Sequence, residues 1–129
     1  MDVIIRRVFK HGKSYTFTIP WKWEAPEVFN VYSNSIYFVY SPLKGLETTL
    51  KATYVKQVKK RVAVSRRYRY YLLTIPIEVA ERVGIEAGSE LLVFRALILD
   101  HPAIICVTRD DIYKRATLNL VKGEIPWGR

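Results

Sequence analysis

Apolar and polar positions alternate along most of this chain, and the period is two far more often than 3.6. Residues 2–10, DVIIRRVFK, are rich in β-branched side chains and predict a strand. His11-Gly12-Lys13-Ser14 predicts a hairpin turn, with Gly12 supplying the unusual φ that such a turn needs. Tyr15, Phe17 and Ile19 alternate with Thr16 and Thr18, so a returning strand follows with an apolar and a hydroxyl face. Ile36 to Tyr40 and Thr48 to Val58 predict two more strands, joined through a loop at Ser41 to Gly45. The second of these is open to extension as far as Val64. Arg61 to Ser65, a turn near Arg66 to Arg69, and Tyr70 to Ile75 predict a second hairpin. Leu91 to Leu99 and Ala103 to Thr108 predict a third, around Asp100-His101-Pro102.

The period changes at Pro76. Ile77, Ala80 and Val83 share one helical face, with Val79 at its margin. Pro76 suits the first helical position, Glu78 and Glu81 suit the positive end of the macrodipole, and Glu78 and Arg82 stand four apart. Gly84 is placed for a left-handed C-cap. The segment 20–30, PWKWEAPEVFN, predicts only a short or broken helix, because Pro26 inside a straight one would cost about 3 kcal/mol. Asp110-Asp111 offers a cap for a short final helix carrying Ile112, Tyr113 and Ala116. Residues 123–129 predict a loose tail in which Trp127 is a candidate anchor on a partner or on the body.

The punctuation recurs. Thr18-Ile19-Pro20 is matched 56 positions later by Thr74-Ile75-Pro76. Ser35 to Tyr40 then matches Ser89 to Phe94, with two extra residues in the first copy. The expectation is two diverged copies of one unit, 1–58 and 59–115, followed by a tail, 116–129. No Gly/Ser-rich linker separates the copies, so one shared core is expected.

Composition narrows the function. The chain has 129 residues, is 50% hydrophobic and carries a formal net charge of +9. A core is within reach, and a polyanionic partner fits the charge better than an acidic small molecule does. The basic residues cluster: Lys56, Lys59, Lys60, Arg61, Arg66, Arg67 and Arg69 have no acidic residue among them. Left as a bare solvated face they would repel one another, which an anion would relieve. One cysteine, Cys106, permits no intramolecular disulfide, so a reducing, cytoplasmic setting is expected. The first residues lack a signal peptide's apolar stretch, and no run approaches the roughly 20 apolar residues of a membrane span. No enzyme is expected. His11 and His101 sit in turns without a positioned partner, one Cys with two distant His makes no zinc site, and there is no P-loop or GxGxxG. No cofactor or metal is expected either.

The unit of basic strand, Gly-x-Ser turn, strand ending in Ile-Pro, helix, Gly-Ile-x-x-Gly and strand resembles the AbrB/MazE group of swapped-hairpin DNA-binding domains. The first copy keeps the turn and strand from Lys10 to Pro20, and has Asn34 where the second glycine would be. The second keeps Ile75-Pro76, the helix and Gly84 to Gly88, with Tyr68 in place of the turn glycine. The resemblance covers about 3–58 and 59–108. It implies a mostly β fold with short helices, in which two tandem repeats build a swapped-hairpin β-barrel as a pseudo-dimer. A single short unit would be marginal, whereas a doubled one reaches ordinary domain size.

It also implies where duplex DNA would bind. The candidates are Arg6, Arg7, Lys10 and Lys13 in the first copy, and Lys59, Lys60, Arg61, Arg66, Arg67 and Arg69 in the second. Lys and Arg neutralise phosphates, Arg can read guanine, and Ser14, Ser65 and backbone N–H groups can add phosphate contacts. The resemblance also implies a role in transcription regulation. Thr18 and Thr74 stand where the family often has a basic residue before Ile-Pro. Two other readings remain. The region from Ile112 to Trp127 suits an antitoxin-like or adaptor module that holds a protein partner or a second copy. Tyr68, Tyr70 and Tyr71, interleaved with arginines, suit single-stranded nucleic acid, although cross-strand packing explains them as well. Trp21 and Trp23 are expected to pack in a core or interface.

Overall fold

The computed structural model describes residues 2–23 and 25–109. The short final helix, the tail and Trp127 lie outside these. The described chain runs β1 (Asp2–Arg7), β2 (Phe9–His11), β3 (Ser14–Pro20), β4 (Val28–Ser33), β5 (Tyr37–Ser41) and α1 (Glu47–Leu50). It continues through β6 (Thr53–Lys59), β7 (Arg61–Val64), β8 (Arg69–Ile75), α2 (Ile77–Val83), β9 (Glu90–Ile98) and β10 (His101–Thr108).

The strands form two antiparallel sheets. The larger has the order β1-β9-β10-β5-β4-β6, and the smaller the order β2-β3-β8-β7. Both orders are palindromic. Exchanging β1 with β6, β9 with β4, β10 with β5, β2 with β7 and β3 with β8 leaves each sheet unchanged. In the smaller sheet Phe17 faces Leu73, Tyr15 faces Ile75 and Ile19 faces Tyr71, so that pairing also maps onto itself.

Two strands turn a corner between the sheets. At Val8 the chain leaves β1 for β2; its N–H donates to the Ser89 carbonyl at 2.8 Å and its carbonyl accepts from Gly88 N–H at 2.7 Å. At Lys60 it leaves β6 for β7, and the Lys60 N–H donates to the Glu27 carbonyl at 2.8 Å. The main core lies between the sheets. Phe17, Ile19, Leu73 and Ile75 from the smaller sheet meet Phe29, Phe38, Tyr40, Leu91, Val93 and Ile104 from the larger. Tyr40 is its hub, edge-on to Phe17, Phe29 and Phe38 at ring separations of 5.7 to 5.9 Å.

Several expectations need correction. No closed barrel forms among the described residues. An apolar core holds the two sheets face to face, and their outer strands β1, β6, β2 and β7 stay unpaired on one side. No helix is present among the described residues between β3 and β4. Trp23 N–H donates to the Pro20 carbonyl at 3.0 Å, the chain turns, and buried Trp23 enters the core. α2 supplies Val79 and Ala80 to that core after the matching proline, Pro76. A strand absent from the expectations, β4, follows the turn. It stands where β9 stands in the palindrome, so β5 is not the counterpart of β9 as the matched segments suggested. Thr48 begins no strand; it lies in α1, and β6 starts at Thr53 after Lys51 takes a left-handed φ of 52°. Pro76 sits one place before the helix, at its N-cap, while Gly84 closes it at φ 76° as expected. Arg82 passes over Glu78 and donates to the Ser33 carbonyl at 3.0 Å and Thr53 Oγ1 at 2.7 Å.

Candidate nucleic-acid interface

From Val3 to Pro20, and again from Thr48 to Ile77, the sequence has no acidic residue. These stretches supply every strand of the smaller sheet and both of its turns. β3 and β8 run antiparallel, so the two turns sit at opposite ends of that sheet. Lys13 is at one turn, and Arg66 and Arg67 are at the other. Seven residues of β3 at about 3.3 Å each set the tips roughly 23 Å apart.

The fold deals with the ten candidate cations in three ways. Arg7, Lys13, Lys59, Arg66 and Arg67 are exposed and make no side-chain hydrogen bond among the described residues. Arg7 and Lys59 occupy matching places, each just ahead of a corner. Lys10, Arg61 and Arg69 are exposed but lightly held. Lys10 Nζ lies 5.7 Å from the Tyr15 ring centre, an Arg61 guanidinium nitrogen is 3.4 Å from Thr74 Oγ1, and the Arg69 guanidinium sits 5.5 Å from the Trp21 ring centre. Arg6 and Lys60 are partly buried. Arg6 Nε donates to the Thr18 carbonyl at 3.0 Å, past the end of β2, and burial pulls the guanidinium below its ordinary pKa. Lys60 Nζ donates to the Ala25 carbonyl at 2.8 Å and lies 4.1 Å from the Tyr71 ring centre. The ion pair seen among the described residues, Arg109 with Glu90 at 3.2 Å, involves none of the ten.

Two of the cations are joined through aromatic rings. Trp21 stacks on Tyr71 with ring centres 4.8 Å apart and an interplanar angle of 26°. Lys60 lies against Tyr71 and Arg69 against Trp21, which makes a cation–ring–ring–cation cluster. Trp23 packs in the core as expected, but Trp21 remains 41% exposed. Sequence reasoning expected Trp21 in a core or interface but missed its place between Tyr71 and Arg69. The available signal was Trp-Lys-Trp directly after Ile-Pro, which sets two tryptophans on opposite sides of a turn.

Of the two histidines and the cysteine, His11 alone lies on the smaller sheet. His11 ends β2 and His101 begins β10, both exposed. Cys106 is buried in the core, and desolvation pushes its thiol well above the usual range. No three His, Cys, Asp or Glu side chains gather as a metal site among the described residues. No described helix is long and apolar enough to cross a membrane. Compared with models of protein families, with curated proteins and with solved structures, the chain matches none.

Proposed function

We propose that this protein binds duplex DNA through the smaller sheet and its two turns, and acts as a transcription regulator built from two diverged AbrB/MazE-like units in one chain. The observation that carries the reading is the absence of any carboxylate from that sheet and its turns, which bear Lys10, Lys13, Arg61, Arg66, Arg67 and Arg69. A surface of one sign attracts a polyphosphate and releases its counterions. The palindromic strand order and the Phe17–Leu73 register support the paired-unit part of the reading. The two tips, roughly 23 Å apart, would span about seven base pairs at 3.4 Å each. Because Lys13 at one tip answers to Arg66 and Arg67 at the other, an asymmetric site suits the surface better than a perfect palindrome.

The test is fluorescence anisotropy with a labelled 25-base-pair duplex across a salt series. If five or more cations meet phosphates, log affinity falls against log salt with a slope of about −4.5 or steeper. Replacing Arg66, Arg67 and Arg69 together by alanine should flatten that slope by roughly 2 to 3. A slope near zero for the unaltered protein overturns the proposal.

A further inference from the structure

Beside the cation–ring cluster the surface opens into a groove of about 470 Å³, lined by Arg6, Trp21, Lys22, Tyr68, Arg69 and their neighbours. Its walls combine two features. One is flat, exposed π surface: Trp21 is 41% and Tyr68 69% exposed. The other is positive charge, from Arg6, Lys22 and Arg69. A duplex resting on the sheet needs the charge and has no use for the rings, because paired bases keep their faces stacked inside the helix. An unpaired nucleotide needs both.

We propose that this groove is a binding site for a single unpaired nucleotide of a DNA strand, extruded from or looped out of a duplex held on the smaller sheet. The inference rests on the duplex-binding reading and adds a second subsite to it. The base joins the existing stack at its Trp21–Arg69 end, against the indole or the guanidinium plane, and Tyr68 closes the opposite side. Trp21 is already oriented, because Tyr71 backs it at 4.8 Å and Lys60 in turn backs Tyr71 at 4.1 Å. Little ordering is left for the moment of binding. Lys22 and the outer edge of Arg69 take the flanking phosphates. Arg6 Nε is committed to the Thr18 carbonyl, which fixes its guanidinium at the groove floor. No base-specific hydrogen-bond donor lines the groove apart from the cations and hydroxyls, so stacking selects unpaired over paired rather than one base over another.

The experiment compares three probes at one salt concentration: a 25-base-pair duplex, the same duplex with one central unpaired nucleotide, and the corresponding single strand. The expected result is a preference of about fivefold or more for the bulged duplex over the intact one, with quenching of the fluorescence that is lost in Trp21→Phe. Tyr68→Ala should bring affinity for the bulged probe down to near that for the intact duplex, whose own affinity and salt slope stay unchanged, and Trp21→Ala should likewise abolish the preference for the bulged over the intact probe. Tyr68, at 69% exposure, can be replaced without disturbing the core. Equal affinity for intact and bulged duplexes, with a steep salt slope retained, overturns this inference alone. Tight binding of the bare single strand with no salt-dependent duplex binding would instead remove the reading it rests on.

Discussion

Three buried side chains show how single residues hold the larger sheet in place. Asn30 is buried on β4, yet every one of its polar atoms is engaged. Nδ2 donates to the Pro42 and Leu43 carbonyls at 3.2 and 3.3 Å, and Oδ1 accepts from Gln57 at 3.2 Å and from the Tyr54 hydroxyl at 3.4 Å. Asn30→Leu removes all of these and takes the donor from the Pro42 carbonyl, while the Leu43 carbonyl keeps the Tyr32 hydroxyl at 2.8 Å, so we expect a loss of about 1 to 3 kcal/mol in urea unfolding. Tyr40 and Cys106 are fully buried, and burial raises the pKa of both well above ordinary values. Their neutral forms are therefore favoured in the folded protein. Above the thiol's unfolded value of about 8.5 the unfolded chain loses protons that the folded chain keeps, and stability falls as pH rises, more steeply once tyrosine's value of about 10 is passed. Urea midpoints measured from pH 7 to 11 should decline from about pH 8.5 upward. In Cys106→Ala the decline should begin later, near pH 10.

At the scale of elements, α2 stands on its ends. Gly84 takes φ 76° at the C-cap, where the added Cβ of alanine would meet open space but a strained backbone. Gly84→Ala should cost about 1 kcal/mol, read as a lower melting temperature with unchanged circular dichroism. This helix was legible because Pro76, its apolar spacing and Gly84 agree with one another. β3, β8 and the closing hairpin of β9 and β10 were legible for the same reason. β4 was not. Val28, Phe29, Val31 and Tyr32 are good strand formers, but the match of Pro20 to Pro76 pointed to a helix in the segment that follows. The chain resolves the conflict with a turn at Trp23, after which a strand takes the place that β9 holds in the other half. The exposed arginines and lysines could be placed on strands and turns from sequence. The Lys60–Tyr71–Trp21–Arg69 cluster could not, because it joins residues from two distant segments that meet only where β3 pairs with β8.

For the whole molecule, the distribution of charge matters more than its total. The acidic residues among those described lie outside the smaller sheet: Glu78, Glu81 and Glu86 on and after α2, Glu90 and Asp100 on and after β9, Asp2, Glu27 and Glu47 elsewhere. Both ends of the smaller sheet remain positive. Charge reversal at one tip, Arg66→Glu with Arg67→Glu, should therefore weaken duplex binding more than reversal of Lys13 alone. It should leave the urea midpoint within about 0.5 kcal/mol of the unaltered protein, since all three side chains are exposed and unbonded among the described residues.

Interleaving of the two halves has a further effect during synthesis. Among the described residues β1 pairs with β9 alone, so Arg7 has to wait for Glu90, about 80 residues behind it on the ribosome. At 5–20 residues per second that delay is on the order of 4 to 16 s. Throughout it, Ile4, the β1 side chain that the finished fold packs against the main core, has no sheet partner beside it. The first strand off the ribosome can therefore join its sheet only after β9 has emerged.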